Sequence, residues 1–173
     1  MTAATTTPHS GATRVRRFSR STRNFVLTVH IVVSVGLLGD SAGFLAVAIR
    51  RALSDDPAFR AASLDLLGTF ALIFGIPLSF LTLLTGLALG LATAWGIVRH
   101  AWVIAKLVLI VTVIVVGATV LRPVLTADRD PASGPLVAGA AYDVAALTTA
   151  TTLAVYKPGR RRGAAATTGA QEV

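Results

Sequence analysis

Apolar residues run along this chain in four blocks, and charge or proline interrupts the sequence between them. The first block extends from about Phe25 to Ile49 and the second from about Ala61 to Thr93. The third covers Ala101 to Leu121, where Arg122-Pro123 stops it, and the fourth covers Pro135 to Tyr156. A helix that crosses a bilayer needs about 20 apolar residues, and every block meets that length. The second block is longer than needed, so a tilt, or a kink at Pro77, is expected to take up the excess. The pattern predicts an all-α fold: an integral membrane four-helix transmembrane bundle over residues 24–157, with spans at about 25–49, 61–93, 101–121 and 135–156. Residues 1–23 and 158–173 lack apolar periodicity and read as disordered basic tails. A charged start before an apolar block also suits a signal peptide. The first block, however, exceeds the ~7–15 residues of such a core, so a retained helix is expected.

Composition points the same way. Of 173 residues, 54% are hydrophobic and 14% charged, and the mean hydropathy is +0.72. A soluble domain of this length needs more polar surface. The net charge of +8 would suggest nucleic acid on a soluble chain. Here the basic residues flank apolar blocks, which favours a bilayer and its anionic headgroups over nucleic acid. Arg14, Arg16, Arg17, Arg20, Arg23, Arg99, Lys157, Arg160, Arg161 and Arg162 fall on one side of the four spans. Arg50, Arg51, Arg60, Arg122 and Arg129 fall on the other, diluted by Asp55, Asp56, Asp128 and Asp130. By the positive-inside rule both termini are expected in the cytoplasm, with the protein in the cell (inner) membrane.

Lipid provides no hydrophobic drive for helix association, so small residues mark expected contacts. Gly68, Leu72, Gly75, Ser79, Thr82, Gly86 and Gly90 recur at three- and four-residue steps in the second span. Gly36, Gly39 and Gly43 line the first span, and the fourth offers Gly139, Ala146 and Ala150.

Ionisable groups in hydrocarbon cost about 2.5–3.5 kcal/mol each on insertion scales, so each requires an account. The spans contain His30, Asp40, Asp65, Lys106 and Asp143. At a rise of about 1.5 Å per residue, His30 and Lys106 lie roughly 9 Å from the cytoplasmic end, and Asp40 and Asp143 in the outer half. One reading is a polar path, with the acids relaying a proton or binding a cation and His30 and Lys106 at its inner gate. The other is packing: hydrogen bonds between helices for His30, Asp40 and Asp143, Tyr142 as a partner for Asp143, and Lys106 snorkelling along Trp102. Asp65 is expected to reach headgroups or Arg60.

The chain has no cysteine and no methionine beyond Met1, which excludes disulfides, thiolate zinc sites and thioether copper sites. No Ser-His-Asp set, metalloprotease helix motif or phosphate loop is present, so no enzyme activity, catalytic residue or metal site is expected. No cofactor is expected either. The alternative is a haem- or metal-linked redox protein using His30 and His100 as axial ligands, although their depths differ by about 9 Å.

The run Leu27-Thr-Val-His30 leading into Ser34-Val-Gly36-Leu-Leu-Gly39 resembles an uncharacterised family of small four-helix membrane proteins common in actinobacteria. So does the stretch from Pro77 and Ser79 through Leu84-Thr-Gly86-Leu to Trp95-Gly96, Arg99-His100, Trp102-Val and Lys106-Leu. The opening helix also looks distantly like copper-resistance D-type membrane proteins. The resemblance implies a four-helix fold without an assigned activity. It also implies a shared role for Arg99, His100 and Lys106, a cytoplasmic basic cluster for lipid phosphate or a partner protein. Together these features suggest a small transporter, or an accessory or structural subunit of a membrane complex, with a second copy or another membrane protein as partner.

Overall fold

The structure is a computed structural model and describes residues 19–92, 101–127 and 130–156. Helix α1 (Arg20–Ala52) starts one turn before the expected boundary, because Ser19 caps it by accepting the Thr22 N–H at 3.1 Å. Helix α2 (Pro57–Phe70) likewise starts early. Asp56 accepts the Ala58 N–H at 2.9 Å, and Pro57 occupies the first turn, where its missing N–H costs nothing. A π turn, Ala71–Gly75, joins α2 to α3 (Ile76–Ala92) without ending the span. The third span is α4 (Ala101–Val116), a second π turn (Gly117–Leu121) and α5 (Arg122–Leu125). The fourth is α6 (Ser133–Tyr156). Among the described residues these make four helical spans long and apolar enough to cross a membrane.

Arg122-Pro123 does not stop the third span as expected. Each π turn ends two residues before a proline, at Pro77 and at Pro123. A proline ring collides with the carbonyl four residues back, and widening the preceding turn relieves the clash while the helix continues. The added residue also rotates the helix face. Before the turn Ser63 and Leu67 are buried; after it Ser79 and Thr82 are. The expected stripe breaks there, and Leu72 is left 69% exposed.

Helix α1 is the central element. Its buried face carries Val33, Leu37, Ser41, Phe44, Ala48 and Arg51, one residue every three or four. It packs antiparallel on α6: Arg51 meets Ser133, Phe44 and Ala48 cluster with Leu136 and Ala140, and Leu37 clusters with Ala146 and Leu147. The glycines fall into two groups. A Cβ on Gly36 would stand 3.6 Å from Leu78, and one on Gly43 would stand 3.7 Å from Phe70, so both lie at the contact with the second span. Gly39 and Gly68 have nothing within 4 Å, so the packing role expected of them is not seen. Gly68 lies beside the buried face of α2, which carries Ser63 and Leu67, and Gly39 points outward from α1.

At the end of the bundle bearing Arg51, one acid joins the two loops. Arg51 is fully buried, and its guanidinium reaches Asp130, Ser133 Oγ (2.5 Å), the Pro131 carbonyl (3.1 Å) and the Arg60 carbonyl (3.3 Å). The other oxygen of Asp130 accepts from Arg60 at 2.8 Å and 2.9 Å.

Candidate functional site

The core is two apolar clusters with a polar layer between them. One cluster holds Phe44, Leu67, Leu121 and Leu136 near the Arg51 end; the other holds Leu37, Ile110, Val113 and Leu147. The antiparallel register of α1 and α6 sets Ser41 and Asp143 opposite one another in the gap, with Asp40 beside them. Ser41 and Asp143 are each 7% exposed.

Asp40 and Asp143 each keep a buried carboxylate oxygen, Oδ1, with no hydrogen-bond partner among the described residues. The helix-to-helix hydrogen bonds expected as their packing role are therefore not seen. Tyr142 does not serve Asp143 either. Successive residues on a helix point about 100° apart, and the Tyr142 hydroxyl donates instead to Thr112 Oγ1 of α4 at 2.7 Å. Thr112 passes its own proton to the Leu109 carbonyl at 2.8 Å. Asp40 faces the second span, where a Cβ on Gly75 would stand 3.4 Å from its Oδ2.

His30 and Lys106 lie toward the opposite end. His30 Nδ1 sits 2.8 Å from Thr85 Oγ1 of α3. The Thr85 hydroxyl has one proton, and the Leu81 carbonyl takes it at 2.7 Å, so His30 is the donor through Nδ1–H. This is the interhelical hydrogen bond anticipated for His30. Its ring lies against Gly86, where a Cβ would approach to 3.2 Å, so the glycine makes room for the imidazole. The Lys106 ammonium lies within electrostatic reach of His30 and 5.0 Å from the centre of the Trp102 ring, the snorkelling geometry expected of it. Between the two polar levels Thr82 is buried, and its hydroxyl has no partner among the described residues.

Arg99 and His100 lie outside the described residues, so the proposed basic turn and the His30–His100 haem pair do too. No group of three or more His, Asp or Glu side chains is placed to hold a metal among the described residues. Gly90 is half-buried near the end of α3. Asp65 is exposed in an open groove of about 530 Å³ lined also by Leu64, Thr69 and Leu125, while Arg60 is taken by Asp130.

Sequence reasoning missed Arg51 as a buried residue and Ser41, Thr82 and Thr85 as neighbours of the ionisable groups. The signal for Arg51 was present, since 37, 41, 44, 48 and 51 continue one helical face.

The outer surface of the bundle is as apolar as its interior: Val32, Val35, Leu72, Phe80, Leu84 and Val108 are all at least half exposed. Helices of this length that are apolar all round define a multi-pass α-helical membrane protein. A family model described as predicted integral membrane protein (DUF2269) matches residues 24–158, and the chain belongs to that family. No curated protein and no solved structure matches the chain.

Proposed function

We propose that this protein carries a small monovalent cation or a proton across the cell membrane, with the Arg51 end outside and both termini in the cytoplasm, and catalyses no reaction. One observation supports the reading above all. Two acids sit at the same level inside the bundle, each with a buried carboxylate oxygen that no donor among the described residues satisfies. Such groups cost about 1–3 kcal/mol each when left unmet, and ionisable residues within spans commonly mark ion or proton pathways. Lys106, held beside Trp102, suits the level of anionic headgroups at the cytoplasmic face.

The test is flux in proteoliposomes loaded with pH- and sodium-sensitive dyes, driven by a potential or an ion gradient. Wild-type protein is expected to carry flux that falls about tenfold or more in Asp143→Asn and in Asp40→Asn, both eluting as folded protein in detergent. Equal flux in all three sinks the reading. Absence of flux together with a stoichiometric membrane partner in mild detergent favours the accessory-subunit role instead.

A further inference from the structure

The π turn that faces Asp40 has a backbone consequence. In a regular helix the Leu72 carbonyl would accept from the Ile76 N–H, but here that N–H reaches the Ala71 carbonyl instead. The next residue in line, Pro77, has no N–H. Leu72 thus loses both of its successive helical donors, and its carbonyl is released inside a membrane span. Gly75, in the same turn, has no side chain to fill the space, and Asp40 Oδ2 occupies it. The other oxygen, Oδ1, is buried without a donor among the described residues. A carboxylate packed against a turn that carries a released carbonyl brings acceptors together in one seam, and in hydrocarbon a shared positive charge satisfies them.

We infer that Asp40 and the backbone of the Ala71–Gly75 turn form a binding site for one small positive charge, a proton or a sodium ion, with Leu72 as the carbonyl ligand. Discontinuities in membrane helices are where released carbonyls are available as cation ligands. The third span provides an internal comparison. Its turn releases the Ala118 carbonyl in the same way, since the Arg122 N–H goes to Gly117 and Pro123 follows. Asp40, on α1, packs against the turn of the second span. The inference rests on the cation-carrying reading and narrows its site to the seam between α1 and the second span.

The test uses the full chain in lipid nanodiscs. Sodium chloride is titrated against choline chloride by calorimetry, and infrared difference spectra between two pH values report a protonated carboxyl. A sodium-specific heat, or a carboxylic-acid band, that disappears in Asp40→Asn is expected, and which of the two appears identifies the charge. Pro77→Ala restores the N–H and is expected to lower sodium affinity about tenfold, the worth of one neutral carbonyl facing a charge, or to shift the carboxyl band. Pro123→Ala, the same change away from Asp40, is expected to leave both signals at wild-type values. If the Asp40 signal is unchanged in Pro77→Ala, the turn is not a ligand, although Asp40 still carries the charge. If wild type gives neither signal, the site does not exist. If flux survives Asp40→Asn in proteoliposomes but is lost in Asp143→Asn, the Asp40 site fails while the cation-carrying reading stands.

Discussion

Replacing Asp130 by alanine should destabilise the bundle by an amount that burial sets. Asp130 bridges Arg51, whose side chain is 0% exposed, and Arg60, at 23%, while being 54% exposed itself. Removing one partner of a fully buried pair costs about 3–5 kcal/mol, because the remaining charge is stranded. A surface pair is worth about 0–1 kcal/mol. The half-exposed carboxylate places the Arg51 link between these limits, at about 2 kcal/mol, and the Arg60 link adds at most about 1. A total of about 3 kcal/mol corresponds to a melting temperature lower by roughly 6–12 °C for a chain of this length. Tryptophan fluorescence of the detergent-solubilised protein during heating measures it, with Asp55→Ala, an exposed loop acid, as control. The double variant Arg51→Met with Asp130→Ala should recover part of the loss, since it removes the stranded guanidinium. An Asp130→Ala protein that melts within about a degree of the Asp55→Ala control would refute the reasoning, because surface changes are usually worth less than about 0.5 kcal/mol.

Three further substitutions test the close packing. Gly139→Ala should cost about 1–3 kcal/mol in the same assay, since the new Cβ would stand 2.6 Å from Leu121 Cδ2 and 3.2 Å from its Cγ. Gly39→Ala, with nothing within 4 Å, should cost nothing and gain up to about 1 kcal/mol from helix propensity. Equal effects at the two positions would contradict the contact assignment. Gly86→Ala should push the His30 ring, because its Cβ would stand 3.2 Å from Cε1. A shifted imidazole resonance in solution NMR reports that movement, and an unmoved resonance removes the contact.

The four spans were legible because bilayer thickness imposes a length and an apolarity that any window of sequence reveals. Span ends were less so, since Ser19 and Asp56 cap helices from positions where charge and proline suggested loop. Pro123 shows why proline misleads: in a membrane helix the missing N–H is accommodated by a π turn rather than a stop. That choice depends on what packs beside the turn, which no local pattern contains. The glycine stripe failed at Leu72 for the same reason, because one added residue in the turn changes the face. His30, Asp40 and Asp143 stood out from sequence as polar groups in apolar runs. Their rough depths could be counted along each helix, but which faces meet required the α1–α6 register, and Thr85 was obscured because threonines in these helices mostly bond their own backbone.

The Arg51 cluster also has a consequence for how the chain is made. Arg51 leaves the ribosome 79 residues ahead of Asp130 and 82 ahead of Ser133. Until that later segment arrives, the first two spans offer its guanidinium the Arg60 carbonyl and little else. The nascent hairpin therefore waits in the membrane with an unfinished cation at its surface. The last loop to be synthesised completes it, so a chain truncated after its second or third span carries a chemical mark of being incomplete.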